Sequence, residues 1–206
     1  MIIDTADDTT ANIPHLVADN VVSVIRYLTT SINSTKLIKL PEARALGAAG
    51  IRIGLVFEVY GGADNVPDID APDGAADAAF CLKYAPTLGA NNTSAIFFAI
   101  DFDADEDQVT REVLPYFQAI YAAVGNAFYV GVYGSGAVCA AVIAAGYADL
   151  AWLSGSMGWR GSRAYLAAKP KELVLVQTQI DVTLANMNVD INEALNDFGD
   201  FLPAAA

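Results

Sequence analysis

Ser94-Ala95-Ile96-Phe97-Phe98-Ala99-Ile100-Asp101-Phe102-Asp103 is the stretch whose reading decides the fold. Its apolar run, Ala95 to Ile100, mixes β-branched and aromatic side chains as a strand buried on both faces does, and it leads straight into two carboxylates. An ionised carboxylate at the end of a buried strand needs solvent, a hydrogen-bond partner or a catalytic purpose, because an isolated buried charge is neutralised by a shifted pKa. Strand residues two apart share a face. Phe97, Ala99, Asp101 and Asp103 are therefore expected to point one way, with both acids opening into the same space, and Ile96, Phe98, Ile100 and Phe102 the other.

Outward from this strand, apolar runs alternate with helical patterns. Further strands are expected at Met1 to Asp4, Val21 to Leu28, Ile51 to Val59, Ala127 to Gly134, Leu150 to Leu153, Leu173 to Thr178 and Asn188 to Ile191. Helices are expected from Pro41 to Gly50, and from Asp73, read as an N-cap, to Tyr84 with a stop near Pro86 and Gly89. Asp105 and Gln108 have capping-box spacing and open a long helix that runs to Gly125 and should bend at Pro115. Small-residue and short helices follow over Ser135 to Ala145 and Arg163 to Ala168. This alternation predicts an α/β chain, a single-domain (β/α)8 TIM-type barrel over 1–206 with some helices shortened or missing, in preference to a doubly wound open sheet.

In such a barrel the working face is where the C-terminal ends of the strands meet. Asp4, Arg26, Glu58, Asp101, Asp103, Tyr133, Trp152, Gln177 and Asp190 fall at or near those ends. Glycosidic cleavage needs one protonated carboxyl for the leaving oxygen and one ionised carboxyl as nucleophile, base or charge stabiliser. Repulsion among five acids raises at least one pKa, which makes a protonated acid near neutral pH reasonable. Tyr133, Trp152 and Trp159 offer flat faces for sugar rings, and Gln177 and Arg26 offer donors. Acids at strand ends also commonly cap the next helix, which is the bland alternative for any single one.

Composition removes other classes. Lys+Arg 11 against Asp+Glu 24 gives a net charge of -13, so nucleic acid is not an expected partner. With 54% hydrophobic residues the chain buries a large core, yet no run is long enough for a membrane span, and the N-terminus lacks a signal-peptide pattern. Cys81 and Cys139 read as buried free thiols. The single histidine, His15, argues against zinc and against a Ser-His-Asp triad. Asp101 to Glu112 partly matches a calcium loop but carries Glu106 where glycine is needed, and Gly134-Ser135-Gly136 lacks the third glycine of a dinucleotide fingerprint. No metal and no cofactor are expected.

An Asp on the first strand, Arg26-Tyr27-Leu28, an acid ending the third strand, Ile96 to Asp103, Val130-Gly131-Val132-Tyr133-Gly134-Ser135, Trp152, Gln177 and Val189-Asp190 together resemble the glycoside-hydrolase-like domain family known as domain of unknown function 1906. That family is similar to the family 25 glycoside hydrolases, lysozyme-like muramidases. The resemblance implies a barrel of this size, a bacterial cell-wall or related polysaccharide as partner, and a secreted or envelope location; a monomer is expected. It matches Asp4 to the first-strand acid, Asp101 to the first acid of the muramidase Asp-x-Glu pair, and Asp190 to the last-strand acid. Asp103 stands where the muramidases carry their Glu proton donor, a departure that shortens the side chain by one methylene. The expected catalytic set is Asp103 as general acid with Asp101 and Glu58, and the expected sugar-holding set is Asp4, Arg26, Tyr133, Trp152, Gln177 and Asp190. The alternative is a non-catalytic glycan-binding barrel or an accessory domain of a cell-envelope system.

Overall fold

The computed structural model describes residues 1–58 and 69–204. Eight strands among the described residues close into a barrel in chain order: β1 (Ile2–Asp4), β2 (Ser23–Leu28), β3 (Arg52–Phe57), β4 (Ala95–Ala99), β5 (Tyr129–Gly134), β6 (Leu150–Leu153), β7 (Leu173–Leu184) and β8 (Met187–Ala194). Val59, the last residue of the expected third strand, lies outside the described residues. The sequence-based expectation of a TIM-type barrel holds, with one departure. Each neighbouring pair from β1 to β7 is parallel, whereas β8 runs antiparallel to both β7 and β1. No helix separates β7 from β8. Leu184 pairs with Met187 across Ala185 and Asn186, whose φ values of 51° and 64° fit a two-residue hairpin turn with both central residues left-handed.

The helices are α1 (Ile13–Ala18), α2 (Leu40–Ala48), α3 (Ala71–Leu88), α4 (Glu106–Gln108), α5 (Leu114–Val124), α6 (Gly136–Ala144) and α7 (Ser162–Ala168). Asp70, not Asp73, caps α3, and Asp73 is the return partner of a capping box. Pro86 stays inside the last turns of α3, which stops at Gly89 with φ 105°. The expected long helix is divided instead: a π-helical turn, Val109–Val113, stands between α4 and α5, and Pro115 falls in the first turn of α5. The π-helical turn widens the helix just before the residue that has no N–H to donate.

Alternation along the strands divides the core in two. Ile25, Val56, Phe97, Tyr133, Trp152 and Leu175 fill the barrel interior, while Val24, Leu55, Phe98 and Val132 pack outward against the helices. Phe97 lies over Gly131, where a Cβ would run into its ring, so glycine is what lets the two strands share that layer. The C-terminal segment closes the N-terminal end of the barrel: Phe198 joins the interior cluster and Phe201 bridges Ile53. The opposite end is left open for a site.

Candidate active site

A cavity of about 100 Å³ opens at the C-terminal ends of the parallel strands. Glu58, Asp101 and Asp190 line it together with Tyr27, Tyr133, Trp152 and Gln177. A second hollow of about 240 Å³ adjoins it, sharing Tyr27 and Asp190 and adding Asp4, Thr5, Asp7 and Asn188.

Register explains who arrives here. Asp4 ends β1 directly opposite Asp190 of β8, so Asp190 reaches the mouth from the middle of an antiparallel strand and not from a strand end as expected. Asn192, two residues on and on the same face, follows it inward. Glu58 follows β3, with its Oε1 2.6 Å from Lys36 Nζ, and that ammonium also stands 4.5 Å from the centre of the Tyr27 ring. Burial raises the Glu58 pKa; Lys36 opposes the rise and Asp101 adds to it.

Gln177 is the hub. Its Oε1 accepts from the Gly155 backbone N–H at 3.0 Å and from the Tyr133 hydroxyl at 3.2 Å. Its Nε2 donates to Asp190 Oδ2 at 2.6 Å and to Asp4 Oδ2 at 3.2 Å. Trp152 is 1% exposed, and its Nε1 donates to Asn192 Oδ1 at 2.9 Å. It is therefore the floor of the cavity, edge-on to Tyr133 and Phe97, with no free face for a sugar ring to stack on. Burial pushes the Asp4 carboxyl up to about 7, against the hydrogen bonds from Asn192, Gln177 and Tyr27 and with help from the charge on Asp190. Asp190 is raised too, mainly by burial, with the Asp181 backbone N–H holding it back.

Two expected members stand elsewhere. Arg26 points out of the barrel into the helix layer, because odd and even residues of β2 face opposite ways. It is fully buried there, with its Nε 2.7 Å from Glu42 Oε1 and its Nη1 2.6 Å from the Thr5 carbonyl. Asp103 is absent from both cavity walls. β4 ends at Ala99, so strand alternation no longer governs Asp103, and its carboxylate takes the Arg160 backbone N–H at 2.7 Å and Arg160 Nη1 at 2.8 Å. Asp101 keeps its place on the cavity wall. Asp105, another acid of the partial calcium-loop match, caps α4 as its spacing with Gln108 predicted. Among the described residues no group of three or more His, Cys, Asp or Glu side chains is arranged to hold a metal ion.

Sequence reasoning gave no role to Asn192 or Lys36. Asn192 was legible as a neighbour of Asp190 two residues on, whereas nothing local in a loop places Lys36 beside Glu58.

A model of the Rv2525c-like, glycoside hydrolase-like domain matches residues 15–194. The chain belongs to this family. Within reach of the Rv2525c-like domain is FadG of Bacillus subtilis (strain 168), 31% identical over 147 residues that make up 68% of this chain and 25% of FadG. The chain thus spans about a quarter of the length of that relative. The Mycobacterium tuberculosis Tat-secreted protein Rv2525c, solved in complex with L-tartrate, superposes over 97% of both chains with a TM-score of 0.79 at 22% identity. The modular autolysin LytC from Streptococcus pneumoniae superposes over 93% of this chain and 45% of its own, with a TM-score of 0.57 at 14% identity. These structural likenesses show that the chain shares its barrel fold with Rv2525c and LytC. Among the described residues no helix is long and apolar enough to cross a membrane.

Proposed function

We propose that this domain acts on a bacterial cell-wall polysaccharide by carboxylate acid/base chemistry, as a lysozyme-like glycoside hydrolase. The observation that carries this reading is the convergence of Glu58, Asp101 and Asp190 on one cavity at the strand ends. Burial favours the protonated form of Glu58, which gives its proton to the leaving oxygen, and Lys36 stabilises the carboxylate left behind. Asp101 stabilises the positive charge that develops at the sugar carbon or activates the attacking group. Asp103, held by Arg160, orders the loop around 155–162 and is not the proton donor. The autolysin LytC, one structure of which holds a synthetic peptidoglycan ligand, and the Tat-secreted Rv2525c support a cell-wall substrate and an exported location. The protein is expected to work as a monomer.

The test is mass spectrometry of soluble products after incubation with bacterial peptidoglycan. New reducing-end muropeptides should come from wild type and from Asp103→Asn, and not from Glu58→Gln or Asp101→Asn. Loss of products in Asp103→Asn alone would return the proton-donor role to Asp103. The Asp103–Arg160 pair also favours a second reading, a glycan-binding barrel without turnover, since it ties up the position where muramidases carry their donor. That reading predicts sedimentation with insoluble wall and no new products from any variant.

A further inference from the structure

Trp152 is enclosed, so of the two tryptophans only Trp159 is placed to meet a ligand from solvent. Trp159 is half-buried and lines a hollow of about 470 Å³ together with Met157, Arg160 and Arg163. Among the described residues no other aromatic ring stacks on it, and the guanidinium of Arg163, exposed in the first turn of α7, has no hydrogen bond or ion pair. The segment that carries these groups is pinned along its length. The Gly155 N–H donates to Gln177 Oε1, and the Arg160 backbone N–H and Nη1 both donate to Asp103. The Arg160 carbonyl accepts from the Ala137 N–H at 2.9 Å, and Ser162 Oγ accepts from the Gly136 N–H at 3.1 Å. A Cβ on Gly136 would run into the Gly161 carbonyl, so α6 packs directly on the backbone of the segment.

Those bonds also locate the hollow. Gln177 is a wall of the cavity, and Asp103 follows Asp101, another wall residue, by two positions, a span of at most about 7 Å. The hollow therefore lies on the same rim, beside the ends of β4 and β6. We propose that it is a subsite next to the cavity that binds a carboxylate-bearing unit of the glycan strand, with Trp159 against the sugar ring and Arg163 pairing with the carboxylate. The ligand class rests on the glycan reading above.

Charge favours this occupant. The chain carries Asp+Glu 24 against Lys+Arg 11, so its overall field repels an acidic polymer. Beside the hollow Asp103 is neutralised by Arg160, which leaves Arg163 in excess. A guanidinium meets a carboxylate with two parallel N–H donors, and an indole offers an apolar face to the C–H side of a ring. Peptidoglycan carries both partners, since peptide stems with free carboxylates hang from every second sugar of its strands. A strand anchored at Trp159 and Arg163 has a fixed register, and so presents one defined bond to Glu58 and Asp101.

Calorimetry with two forms of one ligand tests the subsite, in an Asp101→Asn background so that no strand is cut. The ligands are soluble, uncrosslinked peptidoglycan strands and the same strands with their carboxylates capped as methylamides. The parent should bind the free-acid strands about fivefold more tightly, and the preference should fade as salt rises from about 50 to about 500 mM. Arg163→Gln should bind both forms alike, at the parent's level for capped strands, with an unchanged thermal midpoint because the side chain is exposed. Trp159→Ala should weaken binding of both forms, and Trp159→Phe, which keeps a flat face, should recover most of it. With Trp152 enclosed, acrylamide quenching of tryptophan fluorescence reports on Trp159, which bound strands should shield. Strands stripped of peptide by an amidase keep a carboxylate on the sugar itself: binding like intact strands assigns Arg163 to that group, binding like capped strands assigns it to the stem, and either supports the subsite. Equal affinity of the parent for free and capped strands, or a preference that survives in Arg163→Gln, overturns the subsite alone. No binding of either form overturns the glycan reading and the subsite with it.

Discussion

Replacing Asp4 by Asn should make the protein more stable at neutral and alkaline pH. Asp4 is 3% exposed and its carboxyl pKa rises from the ordinary 3.8 to about 7, chiefly because burial penalises the charge. The unfolded chain loses this proton near pH 4 and the folded chain keeps it to about 7, so over that interval the folded state binds more protons and stability falls as pH rises. Below about pH 4 the contribution is fully present, and above about 7 it is gone. Three pH units at 1.36 kcal/mol each come to about 4 kcal/mol. Asparagine fits the same place, with its oxygen taking the N–H groups of Asn192 and Gln177 and its NH2 directed at the Tyr27 hydroxyl. Urea unfolding at intervals from pH 4 to 8 measures the difference between variant and wild type. Other raised acids, Asp77 at about 6 among them, contribute to both curves and cancel in that difference. It should be near zero at pH 4 and grow in the variant's favour to as much as about 4 kcal/mol by pH 8. A difference that stays flat across this range would refute the argument that burial holds the Asp4 proton in place.

Glu42→Ala should cost about 3–5 kcal/mol in the same unfolding assay, because it strands the fully buried Arg26 guanidinium and frees the N–H and hydroxyl of Thr9. Replacing both members of that ion pair by Met and Leu should cost much less, since no charge is left behind. Gly131→Ala should destabilise by about 1–3 kcal/mol through the collision with Phe97, read as a lowered thermal midpoint with an unchanged far-ultraviolet spectrum.

Local chemistry was enough to read the strands, the Asp105 capping box and the presence of acids at the barrel mouth. Hydrophobic runs mark buried strands, and capping depends on residues three apart, so both signals are carried within a few positions. That also brought Asp4, Glu58, Asp101, Tyr133, Gln177 and Asp190 to the right end of the barrel. Only the tertiary structure decided what those groups meet. The alternation that put Asp103 beside Asp101 lapses where β4 stops at Ala99, and the partner that then claims Asp103 is Arg160, far along the chain. Arg26 sits one residue out of phase with the inward face of β2 and is matched to Glu42 on α2, a pairing set by how a helix docks on the barrel. The reversed direction of β8 came from a two-residue turn without glycine, which carries no strong hairpin signal, yet it sets Asp190 opposite Asp4 and lets one glutamine hold both. Protonation states follow from that enclosure, because a pKa is fixed by burial and neighbours in space and not by neighbours in sequence.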